Sequence, residues 1–238
     1  MFDERFATFK AFGISHIAAI AVSFALIALF FIFAKKLREV DPFYERLTAF
    51  IMLLTEAVFL VWQFKIFGPS VEHIPLNLCT LSLYINTFAL LTGKKTFIKY
   101  TAFFSIAGAI LAIIIPMQGY DFPHFRYIHY YLNHLLIVLT SLYMLKDLPK
   151  ITYKELIIPE ISLTVFVIAV VHTVNQLCGT SFMFFEVKGN YLLTVLSVRN
   201  LLMILATALT HHAFYLVYTV IYNKKRKRGP SNVKNHHA

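Results

Sequence analysis

Residues 14 to 34 read ISHIAAIAVSFALIALFFIFA, followed at once by KKLR at 35–38. A run of about 20 mostly apolar residues, rising about 1.5 Å each as a helix, matches the roughly 30 Å of hydrocarbon in a bilayer. Helix is the conformation such a segment must take, because nothing in lipid satisfies an unpaired backbone group. Comparable runs recur at about Glu45–Phe67, Ile74–Thr92, Phe97–Met117, Tyr127–Leu145, Glu155–Leu177 and Val195–Tyr222, joined by short connections. They predict an all-α polytopic membrane bundle of seven transmembrane helices, one domain over residues 1–223, with a basic, disordered tail at 224–238. Composition agrees: 58% of the 238 residues are hydrophobic and only 14% charged, far from a soluble average.

The charges orient the bundle. Lys35, Lys36, Arg38 and Arg46 fill the first connection, Lys94, Lys95 and Lys99 the third, and Lys146, Lys150 and Lys154 the fifth. Lys224, Lys225, Arg226, Lys227 and Arg228 open the tail. Basic loops stay cytoplasmic, so the N-terminus is expected outside and the C-terminus inside, in the cell membrane. The same loops would attract anionic lipid headgroups, which accounts for the net charge of +10 without a nucleic-acid partner. The first span has its basic cluster after it and no small-residue cleavage site, so it reads as a resident helix. Two cysteines, Cys79 and Cys178, are too few for a disulfide framework.

Polar residues inside spans carry the functional signal, because each needs a partner or a wet cavity. Along their helices Cys79 and His134 lie about 8 and 10 Å inward from the outer side, and His172, Asn175 and Gln176 lie within about 8 Å of it. Span seven enters with Arg199 and Asn200. Tyr130 and His134, spaced i, i+4, share one face of span five, and His129 and Asn133 share the next. Glu56 falls near mid-membrane and needs a partner or a proton. His211 and His212 lie deeper in span seven with no evident partner.

The stretches GISHIAAI near the start, EHIPLNLCTLSLYI at 72–85, YYLNHLLIVLTSLYML at 130–145 and NQLCGTSFMFF at 175–185 together resemble, in order, segments of the bacterial YwaF-like proteins and of their animal relative, transmembrane protein 164. The resemblance covers nearly the whole chain. It implies an acyltransferase that moves a fatty acyl chain, without coenzyme A, from a phospholipid to a lysophospholipid. It also implies Cys79 as nucleophile and His134 as its base. Asn77 stands where the family often has His, and GTSFM at 179–183 stands where GTNYM is common.

Since a free thiol is only a few per cent ionised near neutrality, a base beside Cys79 is required. Asn77, Asn133 or Asn175 would donate to the oxyanion, with Tyr130 and His172 in support and Arg199 on a phosphate. No cofactor and no metal enter this chemistry. Three rivals use the same residues differently. A lipid hydrolase would let water attack the thioester. A zinc hydrolase would draw on His16, His73, His129, His134 or His172 with Glu72, although the five-residue spacing of His129 and His134 sets them about 140° apart on a helix. A transporter or lipid-binding receptor would use Glu56 as its proton site. Oligomeric state is left open.

Overall fold

The computed structural model describes residues 8–39, 43–146, 148–185 and 197–228. The described residues form helices and turns: α1 (Ile14–Glu39), α2 (Phe43–Phe67), α3 (Leu78–Thr92), α4 (Ile98–Ile114), α5 (Phe125–Leu145), α6 (Tyr153–Phe166), α7 (His172–Cys178) and α8 (Val198–Arg228). A π-helical turn at Val167–Val171 joins α6 to α7 in one rod. Six rods are long and apolar enough to cross a membrane; α3 is apolar but shorter. Its 15 residues rise about 22 Å. The expected span began at Ile74, but the helix begins at Leu78, because the 74–77 stretch ahead of it contains Pro75 and stays extended at Asn77.

The rods run alternately up and down. At one end His16 of α1 reaches the Ile113 carbonyl of α4 at 3.0 Å, and the Tyr127 hydroxyl of α5 donates to the Ser15 carbonyl at 2.6 Å. Trp62 of α2 meets the rings of Tyr120 and His124 there. At the other end Lys95 pairs with Glu45 at 2.7 Å and Lys99 with Glu155 at 3.2 Å, gathering the starts of α2, α4 and α6. α4 and α5 form the core, while large apolar side chains on α1, α6 and α8 face outward, as a lipid-facing surface requires.

Two buried asparagines act as polar clamps, one between two rods and one within a loop. Asn86 of α3, fully buried, reaches Thr140 and Ser141 of α5 at 2.9 Å each and the Ile137 carbonyl at 3.2 Å. Asn175 of α7, also fully buried, binds its own following loop: the Phe182 N–H and the Thr180 hydroxyl donate to its carbonyl at 2.9 Å, and its amide donates to the Phe182 carbonyl at 3.1 Å. That loop turns at Gly179 and carries Met183 and Phe184 in left-handed backbone, at φ 54° and 61°. Non-glycine residues persist there only where neighbours hold them. Both cysteines are free thiols. α8 stays helical through Arg228, so the start of the basic tail continues the last helix; residues 229–238 of the tail lie outside the described residues.

Candidate functional site

Cys79 is the second residue of α3, and this position decides its surroundings. The first N–H groups of a helix have no partner within it. Asn77, the N-cap residue, does not cap with its side chain; its side-chain Oδ1 accepts from the Met183 N–H at 3.0 Å instead. Leu81 N–H is the first to reach back, to the Asn77 carbonyl at 3.0 Å. Among the described residues the N–H groups of Leu78, Cys79 and Thr80 therefore meet no acceptor. They carry the positive end of the helix dipole, which favours negative charge at that spot.

The thiol faces α4 and α5. A Cβ placed on Gly108 of α4 would stand 4.0 Å from Cys79 Sγ and 3.4 Å from Leu78, so the missing side chain is what lets α3 approach. One turn further along α4, the Tyr130 hydroxyl donates to the Ala112 carbonyl at 3.1 Å and accepts from the Met117 N–H at 3.2 Å. Tyr130 lies within electrostatic range of Cys79. His134 packs its ring on Tyr130 with centroids 4.3 Å apart. Its Nδ1 stands 2.6 Å from the Tyr130 carbonyl, which can only accept, so the proton sits on Nδ1 and Nε2 carries the lone pair. That is the tautomer a general base needs. Cys79 and His134 are both partly exposed, and among the described residues they share no hydrogen bond.

Asn133 belongs to a second cluster on the adjoining face of α5. Its amide meets Thr55 Oγ1 at 2.7 Å, Glu56 Oε2 at 3.3 Å and His129 Nε2 at 2.8 Å. Arg126 approaches His129 Nδ1 at 3.0 Å and lies over the rings of Phe59 and Tyr130 at 4.4 and 5.3 Å. A guanidinium only donates, so His129 accepts at Nδ1 and directs its Nε2 proton to the Glu56 carboxylate, whose Oε2 lies 3.5 Å away. Glu56, expected to need a partner, has one, and Arg126 is the cation that the sequence reading did not single out. Its i, i+3, i+7 spacing to His129 and Asn133 was the available signal.

The remaining expected residues separate. Asn175 and Asn77 have their carbonyls committed to the 180–183 loop, so their part is to hold it against the α3 terminus. His172 is buried after the π turn, and Arg199 is exposed in the first turn of α8. The five histidines proposed for zinc do not gather: among the described residues the one group with metal-ligand spacing uses none of them. An apolar groove lined by Tyr84, Ile85, Phe88, Phe97, Tyr100 and Thr101 lies deeper along α3. Tyr84, Ile85 and Phe88 fall about 140° to 240° around the helix from Cys79, so it is not a slot for a chain carried on that thiol.

Fold and site together define a multi-pass membrane protein of α-helices with a cysteine in the first turn of a short helix. The chain belongs to the TMEM164 family, whose sequence profile matches residues 11–221. No curated protein and no solved structure matches it.

Proposed function

We propose that this protein is an acyltransferase that moves a fatty acyl chain between membrane lipids through a thioester on Cys79. The observation that carries the reading is the uncapped helix terminus that holds the Cys79 thiol toward α4 and α5, with His134, its Nε2 left as an acceptor, packed on Tyr130 of α5. His134 takes the thiol proton, and the sulfur attacks the ester carbonyl of a phospholipid. The Leu78, Cys79 and Thr80 N–H groups stabilise the oxyanion. The carbon–oxygen bond breaks, the departing lysophospholipid alkoxide takes the proton from His134, and the acyl chain stays on sulfur. A lysophospholipid hydroxyl then gives its proton to His134 and attacks the thioester, and the carbon–sulfur bond breaks to return the thiol. Hydrogen bonds in a resting site often tighten only with substrate in place, and the mechanism requires the imidazole to reach the sulfur in that state.

In this reading α3 with its extended lead-in is a seventh span. The N-terminus and Cys79 face the outside of the cell membrane, and the lysine-rich ends bind anionic lipid in the cytoplasm. Donor and acceptor enter from the bilayer, so coenzyme A has no part.

The test uses purified wild type and Cys79→Ala in nanodiscs holding a labelled phospholipid and a lysophospholipid. Labelled acceptor, with a hydroxylamine-sensitive acyl mass on the wild type alone, is expected. Free fatty acid in place of labelled acceptor makes the protein a hydrolase with the same thioester. Equal products from both proteins remove Cys79 from the chemistry.

A further inference from the structure

His211 and His212 have a partner that the sequence did not reveal. Glu160 of α6 faces them across to α8, in the half of the bundle opposite Cys79, about 10 Å along α6 from its Tyr153 end. Its Oε2 lies 3.5 Å from Nδ1 of His211 and 3.5 Å from Nδ1 of His212. One ligand atom from each of the three residues lies within 4.8 Å of the other two. His211 is 1% exposed, yet among the described residues neither its Nδ1 nor Glu160 Oε2 has a hydrogen-bond partner.

This spacing is too long for N–H···O bonds, which run about 2.7 to 3.2 Å. It is close to the ~3.3 Å that separates two donors held about 2.0 to 2.1 Å from one tetrahedral zinc ion. Two imidazoles and one carboxylate also make the mixed nitrogen and oxygen set that suits zinc-like ions. We propose that Glu160, His211 and His212 bind a divalent transition-metal ion, zinc or one of its first-row neighbours, and leave further positions open.

The surroundings fit ligands held in place. The His211 ring is stacked on Phe104 at 3.6 Å between centroids. His212 Nδ1 lies 2.9 Å from the Ala208 carbonyl, and Nε2 lies 3.3 Å from the Tyr153 hydroxyl. To bind the ion through Nδ1, the neutral ring gives up its bond to the Ala208 carbonyl and shifts its one proton to Nε2, which donates to the Tyr153 hydroxyl, an outer partner of the kind that orients metal-bound imidazoles. The ion also has a structural role. The apolar stretch of α8 is only 6% buried, against 67% for α5, so a tie between α6 and α8 anchors the least packed helix.

The experiment strips the full-length protein, freed of any affinity tag, with a chelator and then adds zinc or cobalt(II) alone. His236 and His237 are changed to alanine in every sample so that the tail adds no ligands. Expected are about one metal per chain after gel filtration, a tetrahedral cobalt spectrum and a melting temperature raised by zinc. Glu160→Gln and, on the more exposed ring, His212→Ala should each weaken binding by more than about tenfold and abolish the zinc-induced shift. Should Glu160→Gln not fold, His212→Ala decides. A wild type that retains no zinc, or variants that bind it as tightly, overturns the site. Cys79→Ala should keep its zinc, so loss of lipid chemistry and loss of metal are read separately.

Discussion

In the proposed mechanism the reactivity of Cys79 rests on a helix terminus and on α5, where Tyr130 is already bonded to backbone and His134 packs on its ring. Removing the base leaves the thiol and the helix dipole in place, so His134→Gln should lower the rate of acyl-enzyme formation by about 10² to 10⁴ with little loss of stability. Single-turnover mass spectrometry measures this, and a rate within threefold of wild type would remove His134 from the mechanism. Gly108 sets access. Gly108→Val would press its methyl groups toward Leu78 and the thiol, since even the first added carbon stands 3.4 and 4.0 Å away. Alkylation of Cys79 by a small maleimide should slow markedly in that variant, at a packing cost of about 1 to 3 kcal/mol. Unchanged labelling would mean that reagents reach the thiol from another side.

At the scale of helices, α3 is aimed by its far end. Asn86 lies seven residues from Cys79, nearly in line along the helix, so its bonds to Thr140 and Ser141 fix the rotation that turns Cys79 inward. Asn86→Leu should lower stability by about 0.6 to 2 kcal/mol, as for other hydrogen bonds between membrane helices. It should lower acyl transfer by more than that loss of folded protein explains; thermal melts and activity on the same samples separate the two. The loop after α7 behaves oppositely. Met183 holds a left-handed backbone, and its N–H is bound by Asn77. Met183→Gly should relieve the backbone strain by about 1 kcal/mol, less what the buried side chain contributes, whereas Asn175→Ala should destabilise by about 1 to 3 kcal/mol by freeing that loop. Equal effects from both would show that the loop is not under tension.

Over the whole molecule, the alternating rods and the lysine-rich connections predict a definite orientation, and the chain carries its own reporter. Cys178 is exposed at the end of α7, where the site lies. In a Cys79→Ala background, a maleimide that cannot cross membranes should label intact cells expressing the protein and fail on sealed inside-out vesicles. The reverse pattern would invert the topology and move the proposed chemistry to the cytoplasmic leaflet.

The long rods were legible because a membrane span is a local property: some 20 apolar residues, counted along the chain, suffice for the helix between Ile14 and Ala34 as for the others. So were the shared faces of Tyr130 with His134 and His129 with Asn133, since helical periodicity alone sets them. The start of α3 was read four residues early, and that shift put Cys79 inside a helix rather than on its terminus. Contacts between helices were beyond reach. That Glu56 meets Asn133, that Asn86 clamps α5, that Asn175 closes its own loop and that Glu160 finds His211 and His212 all depend on rotations and crossings of rods. Those angles are fixed by side chains far apart in the sequence, such as the bare face of Gly108, so the tertiary structure alone decided which polar residues share a partner.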